Sequence, residues 1–410
     1  MRFSGAVLGA VAVANVLTAS AFIENPLTHR KIDTSSDCME CEAMMDVIYK
    51  TFTNEDTISS MMEKIEKGCA HLPDKAVETC DRILEALVTI PEKLFEGMED
   101  LAWPIPQATC ALARKCTMYC CDEKNVPEQV HLSMAGKDHS IMGVSWVTMD
   151  EGKGTYVEYG LSKDSLESHK AGDVSTYTVG NWVGTIHRAT MTDLAPGVAY
   201  YYRVGDGDAL WSKTFSFTTI PVGAEKVTFA IIADMGYAEN SDHTVEALED
   251  LVNKGEIDVV VHSGDMGYAD GYQPHWDVYF NKIENIVARV PYMVTPGNHE
   301  FFANFSAYKH RFFMPGVVDE GSWGGSNDGM YYSWDCGQAH FVALNSETPV
   351  DTGNFKDEML DWAVQDMATI NRNATPWLIS HFHRPMYCTN DRDCDFTFAG
   401  LLRLEAEQKV

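Results

Sequence analysis

The sequence predicts a multidomain chain of three unlike parts: an all-α unit, a β-sandwich and an α/β sandwich. Three observations predict it. Apolar residues recur at helical spacing through a cysteine-dense first quarter. Short alternating runs separated by Gly and Asp turns follow from about Val126 to Pro221, and from Val227 Val/Ile-rich runs alternate with helical stretches. At 410 residues and 45% hydrophobic content, the chain is long enough for two or three domains.

The amino terminus reads as a signal peptide over residues 1–21. Arg2 precedes an apolar run from Gly5 to Leu17, and Thr18-Ala19-Ser20-Ala21 is a small-residue cleavage pattern. The run is short for a membrane span, and no later stretch reaches the roughly 18 apolar residues that a transmembrane helix needs. A secreted protein, extracellular or in a lysosome-like compartment, agrees with the eleven cysteines, eight of them between Cys38 and Cys121. Asn304-Phe-Ser306 and Asn373-Ala-Thr375 are then candidate glycosylation sites at Asn304 and Asn373. A formal net charge of −29 would repel phosphate backbones, so no nucleic-acid partner is expected.

In residues 36–121, Ile58, Met61, Met62, Ile65 and Cys69, then Val77, Cys80, Ile83, Leu84 and Leu87, fall at helical spacing, enough for four or five short helices. The cysteines run Cys38-x2-Cys41, Cys69-x10-Cys80 and Cys110-x5-Cys116, a spacing that resembles the saposin B-like domains. That resemblance implies the pairs Cys38 to Cys116, Cys41 to Cys110 and Cys69 to Cys80. It also implies a helical clasp that contacts lipid or a membrane surface; a disulfide-stapled proregion or folding aid fits the same residues. Cys120 and Cys121 lie outside the pattern.

Residues 126–222 carry expected strands at Ile141–Thr148, Tyr156–Tyr159, Ala199–Val204 and Phe215–Thr219, a β-sandwich close to the usual ~100-residue size. Leu194-Ala-Pro196-Gly197-Val-Ala-Tyr200 resembles the tyrosine corner of fibronectin type III domains, so this is a fibronectin type III-like sandwich with a packing and positioning role.

Residues 226–410 read as α/β, with buried strands at Val227–Ala233, Asp258–His262, Pro291–Thr295, His340–Asn345 and Trp377–Ser380. Candidate helices are His243–Asn253 and Trp276–Ala288. Four of the strands give way to loops that carry metal-ligand side chains: Asp234 with Gly236, Asp265 with Tyr268, Asn298 with His299 and Glu300, and His381 with His383. Strand ends are where α/β proteins collect functional groups. Singly, each residue has an ordinary use as a helix cap, turn or packing group. Together, carboxylate, phenolate, amide oxygen and imidazole are the donors that a pair of hard cations needs. No Ser or Cys stands out as a nucleophile: Cys388 and Cys394 bracket a short loop and are read as a disulfide.

On these motifs the chain from Val126 onward resembles the calcineurin-like metallophosphoesterases and, more narrowly, the purple acid phosphatases of the larger, two-domain type. Asp234-x-Gly236 in place of Asp-x-His, with Tyr268 three residues after Asp265, narrows the match. Tyrosinate is a hard anionic ligand suited to Fe(III). The resemblance implies that Asp234 and Tyr268 bind the ferric ion, Asp265 bridges both metals, and Asn298 and His383 bind a divalent ion (Fe, Zn or Mn). His383 is preferred to His381 because His383-Arg384-Pro385 matches the family's ligand histidine. His299 is implied to be a catalytic hydrogen-bond donor near the substrate phosphate, and His381 and Glu300 to lie just outside the ligand set.

An acid phosphatase follows, hydrolysing small phosphomonoesters with a metal-bound hydroxide as nucleophile. Two other classes fit parts of the pattern: a lipid phosphodiesterase similar to acid sphingomyelinase, against which Tyr268 and Gly236 speak, and a catalytically dead lipid-binding or regulatory protein. The last arises because the family closes its site with Gly-His-x-His on a later strand. This sequence reaches Val410 without that element, so the α/β part is expected to be C-terminally incomplete, with Cys336 lacking an obvious partner.

Overall fold

The structure, a computed structural model, describes residues 35–49, 63, 67 and 110–387, apart from 112, 122–123, 137–139, 209, 318–324, 348–354 and 386. The chain divides into two compact units, residues 1–122 with 178–183, and residues 123–177 with 184–410.

In the first unit, α1 (Ser36–Tyr49) is tied to the segment 110–116 by disulfides Cys38–Cys116 and Cys41–Cys110. The expected pairs Cys69–Cys80 and Cys388–Cys394, and most of the saposin-like segment, lie outside the described residues. Cys120 and Cys121, left unassigned by the spacing, are bonded to each other. Nearby, β1 (Met118–Tyr119) pairs in parallel with β7 (Trp182–Val183).

The second unit opens with the β-sandwich. One sheet has the order β2-β3-β8-β6, formed by β2 (Glu128–Met134), β3 (Met142–Thr148), β6 (Asp173–Ser175) and β8 (Thr185–Met191). The other has the order β10-β9-β4-β5, formed by β4 (Tyr156–Gly160), β5 (Ser168–Ala171), β9 (Ala199–Gly205) and β10 (Phe215–Thr218). Val130, Leu132, Val144, Trp146, Tyr202 and Phe217 fill the space between them. The tyrosine corner has its expected bond: Ala195 N–H donates to the Tyr200 hydroxyl at 2.8 Å.

The α/β part follows with β11 (Phe229–Ile232), α2 (Asp242–Asn253), β12 (Val259–Ser263), α3 (Pro274–Val287), β13 (Tyr292–Thr295) and α4 (Phe302–Arg311). Strands β11, β12 and β13 form a parallel sheet in that order. A second sheet holds β14 (Tyr332–Cys336), β15 (Ala339–Ala343) and, after α5 (Phe355–Ala368), β16 (Trp377–His381) parallel to β15. Phe229 meets Phe341 with ring centroids 4.9 Å apart, so the two sheets share a core. The expectation that all these strands are buried is corrected at two edges. In β11, Ile231 is 65% exposed, and in β16, Trp377 is 67% exposed. Each pairs with a single described strand, so among the described residues one edge of each is unpaired.

A buried polar cluster joins the sandwich to the α/β part. Arg311 donates to the Tyr177 hydroxyl (2.9 Å), Gln129 Oε1 (2.8 Å) and Asp277 Oδ1 (2.6 Å). Arg311 is 1% exposed and Asp277 is fully buried. Desolvating such a pair is tolerable only because these bonds satisfy it.

Candidate metal centre

Asp234, Asp265, Asn298 and His383 follow β11, β12, β13 and β16 by two or three residues, so all four leave the carboxyl ends of parallel-paired strands. The loops are tied to one another by backbone bonds, Asp234 N–H to Gly264 O at 3.2 Å and Gly236 N–H to Met266 O at 2.9 Å. They turn sharply, and Asp234, Asp265, Tyr268 and Asp270 all hold left-handed backbone (φ 55°, 52°, 45° and 45°). Such positions cost on the order of 1 kcal/mol or more each, and they cluster where geometry serves chemistry.

Two glycines make the convergence possible. A Cβ on Gly264 (φ 84°) would stand 2.6 Å from the His383 ring, and one on Gly297 would stand 2.2 Å from Asp265 Oδ1. Both loops therefore approach closer than any side chain allows.

The donor atoms of Asp234, Asp265 and His383 lie within 4.8 Å of one another. On one flank the Tyr268 hydroxyl donates to Asp234 Oδ1 at 3.1 Å. Across from it, His383 Nε2 lies 3.2 Å from Asn298 Oδ1 and 3.2 Å from Asp265 Oδ2. His383 Nδ1 donates to Ser263 O at 3.0 Å, which fixes the ring and aims Nε2 into the cluster. All five residues read as metal ligands are thus brought together. His381 is not: it lies buried at the end of β16 beside Phe341, and burial lowers its pKa to about 4.

The electrostatics describe a site built around positive charge. Burial disfavours the Asp265 carboxylate, yet the His383 hydrogen bond and charge, with His299, hold it below the usual range. Burial likewise opposes His383, whose pKa is nevertheless raised to about 9 by Asp265. Burial together with Asp265 and Asp234 pushes the Tyr268 phenol well above its ordinary value. Clustered oxygens of this kind, with an imidazole aimed among them, fit hard cations, which would favour the phenolate that these carboxylates oppose.

His299 stands beside the cluster with Nε2 3.8 Å from Asp265 Oδ2 and its ring 4.3 Å from that of Tyr268. Its Nδ1 meets Asp270 Oδ1 at 2.6 Å. Burial lowers the His299 pKa, but the Asp270 bond and charge outweigh it and the net shift is upward. Asp270 itself is raised by burial despite that bond.

Sequence reasoning missed Asp270, whose one signal was a further carboxylate two residues past Tyr268. It also missed Lys282, which donates from α3 to Tyr237 O, Ala238 O and Ser241 Oγ and so holds the loop after Asp234. Arg384 was read only as part of a motif; its Nε reaches both Glu347 oxygens at 2.9 Å and steadies the loop that carries His383. Glu300 is buried, its carboxyl raised to about 8 by burial and by Asp265. Among the described residues no cysteine nucleophile emerges: Cys336 is buried, and burial pushes its thiol up to about 12. Asn304 and Asn373 are both exposed.

Comparison with known proteins agrees with this architecture. Residues 127–219 match the purple acid phosphatase N-terminal domain, and residues 227–409 match the calcineurin-like phosphoesterase domain. Acid phosphatase type 7 of Danio rerio is 35% identical over 295 residues, covering 68% of this chain and 63% of that protein. Purple acid phosphatase 21 of Arabidopsis thaliana is 36% identical over 276 residues, covering 65% and 59%. The purple acid phosphatase from yellow lupin (Lupinus luteus) seeds superposes with a TM-score of 0.57 at 25% identity, over 65% of this chain and 52% of that one. The chain thus spans about three fifths of the length of these curated relatives. With both domains matched in order and the ligand-bearing loops gathered at one end of the strands, the chain carries a purple acid phosphatase N-terminal domain followed by a calcineurin-like phosphoesterase domain, and its relatives include purple acid phosphatases.

Proposed function

We propose that the protein is a secreted acid phosphatase that hydrolyses small phosphomonoesters at a dinuclear centre of Fe(III) and a divalent ion. The observation that carries this reading is the pairing of Tyr268 with Asp234, made possible by glycine at 236, where the added Cβ would meet the Tyr268 ring at 3.3 Å. Asp234 and Tyr268 would hold the ferric ion, Asn298 and His383 the divalent ion, and Asp265 both. When bound, two such cations hold a phosphate oxygen and acidify a water molecule, the more so for a ferric ion.

The chain's own residues supply the rest. Asp270 holds His299 by Nδ1 and leaves Nε2 to donate a proton toward a phosphate or leaving oxygen beside Asp265. Burial opposes the charged form of His299, but the Asp270 bond and charge outweigh it and favour that form. Arg384 and Glu347 keep the His383 loop still, so the divalent side need not reorganise during turnover. Secretion is supported by the disulfides Cys38–Cys116, Cys41–Cys110 and Cys120–Cys121 and by the exposed Asn304 and Asn373. No described helix is long and apolar enough to cross a membrane.

The test is hydrolysis of p-nitrophenyl phosphate by the full chain loaded with iron and zinc, across acidic to mildly alkaline pH. Turnover far above the metal-free background, greatest on the acid side and abolished in Asp265→Asn, is expected. Turnover equal to that of the metal-free chain would refute the proposal.

A further inference from the structure

We infer that Glu300 is a positioning residue that sets the separation of the two loops carrying Asp265 and Asn298; the inference rests on the metal-centre reading above. The Glu300 side chain is 3% exposed, and both of its oxygens are occupied by backbone donors. Oε2 accepts from Asp265 N–H at 2.7 Å and from Gly297 N–H at 2.8 Å, and Oε1 accepts from Met266 N–H at 3.1 Å.

The bond to Gly297 alone would be an ordinary helix cap, since Glu300 is the third residue of the short turn Asn298–Glu300. The other two bonds go elsewhere. They grip the amides of Asp265 and of the residue after it, on a loop that starts from another strand. One carboxylate therefore spans the backbone of two loops from which ligands project, 34 or 35 residues away in sequence.

The loops are also pressed together at this point. Gly297 leaves no room for a Cβ against Asp265 Oδ1, and His299 N–H donates to that same oxygen at 3.0 Å. Any slackening at Glu300 is passed to the Asp265 carboxylate, whose Oδ2 faces His383. A misplacement of about 1 Å in such a constellation is enough to cost on the order of a hundredfold. Both carboxyl oxygens of Glu300 take up backbone N–H groups here, and a carboxamide in the same place can accept through one oxygen only.

The test compares Glu300→Gln with the parent chain, both as full-length protein, by titration calorimetry with Mn(II) alone. A rise in Kd of about 10- to 100-fold is expected. Melting with and without Mn(II) gives a second readout that does not need activity. If Glu300 positions the ligands, the metal-induced rise in Tm shrinks in the variant; a brace for the fold alone would lower both melting points and leave their difference unchanged. Glu300→Asp, which keeps the charge but draws the oxygens back by one methylene, is expected to move in the same direction should Glu300→Gln fold poorly. A variant Kd within threefold of the parent's, or an unchanged metal-induced shift, would overturn the inference alone. Absence of Mn(II) binding by the parent chain would overturn it together with the metal-centre reading.

Discussion

Replacing Asp270 by Asn removes one negative charge and little else, so it isolates what that carboxylate does for His299. The bond it forms is 2.6 Å long between a group 13% exposed and one 2% exposed, so solvent screens it little. A charge-assisted bond in such a place is worth about 1.5–3 kcal/mol, which corresponds to a loss of roughly 10- to 150-fold in kcat/KM if it acts in the transition state. The pH profile carries the sign. Burial lowers the His299 pKa, and the Asp270 bond and charge raise it past its ordinary 6.5. A proton donor must be protonated, so activity in the parent falls only above that raised value. In Asp270→Asn the burial remains and the nearest counterion is gone, leaving Asp265 at 3.8 Å, and the alkaline limb should move to lower pH. The assay is p-nitrophenyl phosphate hydrolysis at saturating metal with metal content measured alongside. A kcat/KM within twofold of the parent and an unmoved alkaline limb would refute the role given to this pair.

Two further outcomes concern the frame around the site. Arg311→Met leaves Asp277 charged and buried at the junction of sandwich and α/β part, and should cost about 3–5 kcal/mol in urea unfolding, most of it recovered in Arg311→Met with Asp277→Leu; a loss below about 1 kcal/mol would mean that solvent reaches the cluster. His340 is opposed by burial but raised to about 9 by bonds to Asp335 (2.6 Å) and Asp366 (2.9 Å). Its stabilising contribution is therefore complete below its ordinary 6.5 and is lost as pH rises from there through about 9. With Asp335 32% exposed, that contribution is about 1–2 kcal/mol, read as a stability difference from His340→Gln that fades over this alkaline window. A difference that stays constant with pH would contradict it.

The five candidate ligands were legible because each follows an apolar run that ends in a loop with Gly or Pro, a local pattern. What surrounds them was not. Asp270 meets its partner 29 residues away, and nothing in its own neighbourhood distinguishes it from a turn residue. Glu300 reads locally as a cap and acts on a distant loop as well. Strand β2 escaped for a related reason. Val130 and Leu132 face the sandwich core, while Gln129, His131 and Ser133 bond to Asp277, Arg311 O and Phe313 O, so six of the seven residues of β2 are buried and polar residues sit where alternation expects solvent. A strand covered on both faces, one of them by polar partners, looks irregular in sequence. Conversely, Ile231 and Trp377 looked buried from their apolar runs and lie at sheet edges, because which strand is an edge is set by topology.

The measurement that reaches the central claim most directly is the visible absorption of the iron-loaded chain, compared with that of Tyr268→Phe. Phenolate bound to Fe(III) transfers charge at visible wavelengths, so the parent should be coloured and the variant should lose the band even where iron remains bound. A colourless parent with full phosphatase activity, or a band that survives Tyr268→Phe, would contradict an iron centre held by Tyr268.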